Sequence, residues 1–154
     1  LISAKKRLDK LYRLKKRLYG GAKGNINKQF KSKILEALND DLNTSKAFAT
    51  IDEFVVYSND TLDKEPKNKV LKKEILANIE FLNDILGIGY QDAYYYFQFG
   101  ISEDEKKNIQ NLIEQRKKAK INKDFILSDE IRDQLTRKNI SLMDTPSGTM
   151  WEKL

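Results

Sequence analysis

Residues 139–153 read NISLMDTPSGTMWEK, and they break the apolar spacing of everything before them. Two short runs, ISLMD and TMWEK, alternate apolar and polar side chains around TPSG. Alternation with a period of two suits strands, and a turn holding proline and glycine between two such runs suits a β-hairpin. Asn139, just ahead of the hairpin, is a residue type that tolerates the left-handed conformation of a helix end. Immediately upstream, residues 118–135 read KAKINKDFILSDEIRDQL, whose spacing is helical from near Asn122. At about 100° per residue, Leu127, Ile131 and Leu135 form a stripe expected to be buried. Phe125, Asp129 and Arg132 fall on nearly the opposite side. A solvated face needs no aromatic ring, and a core accepts no unpaired Asp or Arg, so this second face asks for a ligand or a partner.

Further out, SEDE (Ser102–Glu105) is a capping box that opens a helix bearing Ile109, Leu112, Ile113 and Arg116. Two helices and a hairpin thus make a small α+β tail. Before it, DAYYYFQFG packs consecutive aromatics that cannot share one helical face. Packing is the plainer reading and a base-stacking platform the sharper one.

The first hundred residues carry four helical stripes. Ile2, Leu8, Leu11, Tyr12, Leu18 and Tyr19 mark the first, ended by Gly20-Gly21. Phe30, Ile34, Leu35 and Leu38 mark the second. Ala47, Phe48, Ile51, Phe54 and Val55 mark the third, with Asn43 or Thr44 as its cap. Pro66 fits the first turn of a fourth, whose stripe is Val70, Leu71, Ile75, Ile79, Leu82 and Leu86, with Gly87 closing it. Short connections make an antiparallel helical bundle the default. The fold is therefore expected to be mainly α: a bundle over residues 1–98, then the α+β tail over 99–154.

The net charge of +6 divides into +11 over residues 1–33, −9 over 34–105 and +4 over 106–154. Basic ends around an acidic middle suit a partner with separated phosphate tracks. They also suit a basic first helix docked on acidic ones. The chain has no Cys and no His, which excludes disulfides, Cys/His zinc sites and histidine-dependent catalysis. No phosphate loop or nucleophile–base pair is visible. Asp40-Asp41 read as a connector with local caps. The absence of an apolar run of about 20 residues or of a leader pattern leads to the expectation of a cytoplasmic chain with no membrane partner. The start at Leu1 suggests a piece of a longer protein.

RKKAKINKDFILSDEIRDQLTRKNISLMDTPSGTMW, residues 116–151, resembles the end of bacterial cysteinyl-tRNA synthetases, class I aminoacyl-tRNA synthetases that commonly close on R-x-x-A-R-x-x-K-D-[FW]-x-x-[AS]-D-x-x-R-D-x-L-x-x-x-G-I-x-L-x-D-x-x-x-G-T-x-W. LNDDLNTSKAFATI (38–51) and KRLDKLYRL (6–14) resemble the same family's helical anticodon-binding domain. The resemblance implies that the chain binds cysteine tRNA, that it lacks the catalytic domain, and that ATP, Mg2+ and Zn2+ belong to that missing part. No cofactor is expected in this chain itself. The catalytic domain of the same polypeptide is the second implied partner, and the protein is expected to be monomeric. By position in the pattern, Arg116, Lys120, Phe125, Asp129, Arg132 and Asp144 are candidates for meeting the anticodon loop. Lys120 stands where the family has Arg and loses the bidentate fork. Phe125 can stack on an unpaired base or pack on the hairpin. Asp129 and Arg132 can serve a base edge, or pair with each other at i,i+3 on a solvated face. Asp144, placed just after the first strand, can accept from a base or cap the turn. Trp151 is expected to pack the hairpin on the last helix. Lys5, Lys6, Arg13 and Lys16 are candidates for phosphate attraction. The alternative function is a helical interaction module with no RNA role.

Overall fold

The computed structural model describes residues 2–154; the side chain of Ile2, expected on the first stripe, lies outside the described residues. The chain forms two compact units that divide after Ala93. In the first unit, α1 (Ile2–Arg17), α2 (Lys28–Asn39), α3 (Thr44–Lys64) and α4 (Lys69–Leu86) surround one core. Leu14, Ile34 and Leu82 are wholly withdrawn from solvent, and full burial of such side chains is worth about 1.5–3 kcal/mol each. Of the stripes expected on α2 and α3, Phe30, Ile34, Ala47, Ile51, Phe54 and Val55 are buried, with Ala37 and Leu62 added to them, while Leu35, Leu38 and Phe48 lie at the edge of the core and are only half-buried.

Three asparagines start three helices. The side chains of Asn27, Asn43 and Asn68 accept from the backbone N–H of Phe30, Lys46 and Leu71, satisfying donors that a helix start leaves orphaned. Asn68 corrects the expected place of Pro66, which lies ahead of α4 in a turn closed by Asn68 N–H donating to the Glu65 carbonyl at 3.0 Å. An asparagine cap two residues later is the stronger start signal. Val70, expected on the α4 stripe, is 78% exposed. It lies about 100° around the helix from Leu71, and the line through Leu71, Ile75, Ile79 and Leu82 faces the core without it. Gly87 ends α4 at φ +68°, where a side chain would be strained.

Loops of this unit are fastened to its helices. Gly24 N–H donates to the Lys73 carbonyl at 3.0 Å, and a Cβ on Gly24 would lie 2.8 Å from that of Lys73. Lys15 Nζ donates to the carbonyls of Gly89 and Gln91, and the Tyr12 hydroxyl accepts from Gln91 N–H. Burial pushes Lys15 below its ordinary pKa and Tyr12 above it. Asp40 to Asn43 is the expected tight connector, with Asp41 and Leu42 both at positive φ.

The second unit holds α6 (Glu103–Ile121), α7 (Phe125–Arg137), β1 (Ile140–Thr145) and β2 (Gly148–Lys153), with the single-turn α5 (Ala93–Tyr96) at the division. Ser102 caps α6 as expected, accepting from Glu105 N–H. The two strands pair antiparallel across Pro146-Ser147, with Leu142 opposite Trp151 and Asp144 opposite Thr149. Ile109 and Ile113 of α6, Ile131 and Leu135 of α7, Ile140 and Trp151 form the second core. Trp151 therefore packs, as expected. Asn139 takes φ +59° at the helix end, again as expected, and the architecture is mainly α with a terminal hairpin. Two expectations need correction. Lys123 at φ +60° breaks the chain between the helices, so α7 begins at Phe125 under an Asp124 cap and not near Asn122. Leu127 is 41% exposed, and Ser128 takes the core place ahead of Ile131 and Leu135. The aromatic stretch splits between the buried Tyr94 and the exposed Phe99.

Candidate nucleic-acid interface

Arg116 and Lys120 are one helical turn apart on α6, and both reach Asp144 on β1. Arg116 Nη1 and Nη2 donate to Asp144 Oδ1 and Oδ2 at 2.8 and 3.1 Å. Lys120 Nζ donates to Oδ2 at 2.7 Å, and Thr149 Oγ1, from the paired position on β2, donates to Oδ1 at 2.7 Å. Parallel charge-assisted bonds of this kind fix geometry as well as adding energy. The Arg116 guanidinium, first, and then Lys120 and Thr149 hold the Asp144 carboxyl well below the usual carboxylate range, against an opposing push from burial. Arg116 is buried, with its Nε left without an acceptor. Its orientation serves Asp144 and not its own saturation. Asp144 stands within β1 and not beyond its end, a correction that the two-residue turn makes necessary.

Phe125, Asp129 and Arg132 occupy the exposed face of α7. Phe125 is 63% exposed, so it does not pack on the hairpin. The side chains of Asp129 and Arg132 make no ion pair with each other among the described residues, so both charged groups face solvent. Ile121 and Ile126, close to Phe125 in sequence, are exposed apolar side chains as well. The structure thus joins Arg116, Lys120 and Asp144 in one network, and leaves the other three outside it on the exposed face of α7 in the same unit. Thr149 was missed by sequence reasoning. Its signal was available in the register: a two-residue turn at Pro146-Ser147 places position 149 across from 144.

The cations of α1 divide by task. Arg7 pairs with Asp52 at 3.0 Å and Arg17 with Asp63 at 2.5 Å, both on α3. This part of the basic first helix does dock on an acidic one. Lys5 bonds Asp9 within the helix. Lys5, Lys6 and Arg13 are exposed and Lys16 is half-buried. Among the described residues no group of three metal-ligating side chains occurs, and no helix is long and apolar enough to cross a membrane.

Residues 33–91, which run from within α2 through α3 and α4, match the family described as "DALR domain". Over all 154 residues the chain is 57% identical to the cysteine–tRNA ligase of Aliarcobacter butzleri and 54% identical to those of a Nitratiruptor species and of Helicobacter pylori strain J99. The whole chain is covered in each case, against 33% of each relative. The chain spans about a third of the length of the curated relatives it matches, and is similar to the C-terminal part of these bacterial ligases.

Proposed function

We propose that this chain is the tRNA-binding, anticodon-recognising portion of a cysteine–tRNA ligase. The observation that carries the reading is the likeness of its full length to one third of such ligases, at more than half identity. Phosphates are met by Lys5, Lys6, Arg13 and Lys16 of α1, which supply attraction without sequence preference. Unpaired anticodon bases are met by the second unit. Phe125 offers a ring face for stacking, Asp129 an acceptor for base amino or imino groups, and Arg132 a donor fork to phosphate or base. Arg116, Lys120 and Asp144 form a charged network in the same unit.

In the whole enzyme this portion supplies tRNA affinity and anticodon discrimination to a catalytic part of the same polypeptide. That part joins cysteine to the tRNA and holds the ATP, Mg2+ and Zn2+ the reaction uses. A chain without Cys or His, and without a three-ligand acidic cluster among its described residues, does not fit a zinc site. On the same reading the protein works in the cytoplasm, as a monomer.

Binding of the purified chain to cysteine tRNA, compared with Asp129→Asn and Phe125→Ala variants, tests the proposal. Asn keeps the shape of Asp129 but turns one acceptor into a donor, so discrimination should fall by about 1–3 kcal/mol for each base edge no longer read. Both sites are exposed, so melting temperatures should hardly move. Affinity with no salt dependence, or cysteine-dependent pyrophosphate exchange by this chain alone, would count against the assignment.

A further inference from the structure

Asp144 accepts four hydrogen bonds, and its donors are not equally fixed. Oδ1 takes Arg116 Nη1 and Thr149 Oγ1; Oδ2 takes Arg116 Nη2 and Lys120 Nζ. An ionised carboxylate has about four acceptor positions, so none is left for an incoming base. The Arg116 side chain is only 4% exposed and its planar fork grips both oxygens. Thr149 sits in the strand directly opposite, with the stiff χ1 of a β-branched residue. Lys120 differs from both. Its side chain is 41% exposed, it ends in a single ammonium on a flexible stem, and its bond to Oδ2 competes with water and salt.

We propose that Asp144 is a preformed acceptor for an unpaired base, aimed by Arg116 and Thr149 as positioning residues, with Lys120 holding its outward oxygen until RNA arrives. On binding, a base N–H donor replaces the Lys120 ammonium on Oδ2, and the released ammonium moves to a neighbouring phosphate. Keeping a cation on the carboxylate in the free protein avoids an underused charge there. Giving it up costs little, because the ammonium gains a phosphate in exchange. An Arg at position 120 would be harder to displace from a carboxylate it can hold with two bonds. This inference rests on the tRNA-binding reading above and adds Thr149 to it.

The test is equilibrium binding of the full chain to a cysteine tRNA transcript and an anticodon-swapped one, across a salt series, with a melt for each variant. Lys120→Met should weaken binding to both transcripts and flatten the salt slope by about one, while the preference for cysteine tRNA survives. Thr149→Val should cut that preference by about tenfold with the slope unchanged, and Thr149→Ser should restore it. A Lys120→Met variant that loses the preference as fully as Asp144→Asn would make Lys120 the base reader and overturn the exchange. So would a Thr149→Val variant with undiminished preference. If the unaltered chain shows no salt-dependent RNA binding, the tRNA reading fails and takes the exchange with it. If it binds and discriminates while the variants depart from this pattern, only the exchange fails.

Discussion

Arg116 and Asp144, separated by 28 positions, are joined by two parallel hydrogen bonds that tie the last turns of α6 to the hairpin. Arg116 lies on the buried strip of α6 that runs through Ile109 and Ile113 to Ala119, so a charged contact is set into an otherwise apolar line. It fixes the hairpin and presents a carboxylate on the same side as Lys120.

Replacing Arg116 by Met keeps most of the packing and removes both bonds. The expected cost is about 1–2 kcal/mol in urea unfolding, near the lower end for charge-assisted bonds because Asp144 is partly exposed and screened. A midpoint unchanged from that of the unaltered chain would show that the pair contributes nothing to the second unit.

The depressed Asp144 carboxyl links stability to acid. Its folded pKa lies below its ordinary value of 3.8, so its contribution is complete from about one pH unit above that value upward and is lost as pH falls from there towards the folded pKa. Unfolding followed from pH 6 down to pH 2 should steepen below about pH 4–5 in the unaltered chain. Asp144→Asn should be less stable at pH 6 and flatter in acid. Parallel curves for the two proteins would contradict the assignment.

The three asparagine caps should not be equivalent. Asn43→Ala removes one cap bond and should cost about 1 kcal/mol. Asn27→Ala removes the bond to Phe30 N–H and a second to Glu74, beside the buried Asn78 that accepts from the Asn27 backbone. It should cost more by thermal unfolding, and a smaller effect than Asn43→Ala would contradict the order.

Changing Lys5, Lys6, Arg13 and Lys16 together to Gln should weaken binding of all tRNAs alike. The salt slope should fall by up to about one for each phosphate no longer neutralised. Arg7 and Arg17 are better left in place, since they hold α3. An effect confined to cysteine tRNA would move α1 from general attraction into base reading.

Local signals were legible wherever one residue decides a local geometry. Asn43, Ser102, Gly87 and Asn139 each stand where their cap or left-handed preference places them. Stripe ends were harder. Val70 and Leu127 are apolar, and both lie in the first turn of a helix, where a shift of one residue in its start turns the side chain by about 100°. The six second-unit candidates were legible by type but not by grouping. Nothing local tells that Arg116 and Lys120 meet Asp144, or that Thr149 completes the set, because the hairpin register and the packing of α6 against it decide that together. The docking of Arg7 and Arg17 on α3 was one of two readings of the charge pattern, and only the fold separates these cations from the exposed ones.

If this chain reads the anticodon of cysteine tRNA, one ratio shows it without any variant. That ratio compares the dissociation constants of the unaltered chain for cysteine tRNA and for the same transcript with its anticodon replaced, taken at low and at moderate salt. Both affinities should fall with salt, since phosphate contacts dominate them. The ratio should stay at about tenfold or more in favour of cysteine tRNA, since base contacts carry it. Equal dissociation constants at both salt concentrations would contradict anticodon reading by this chain.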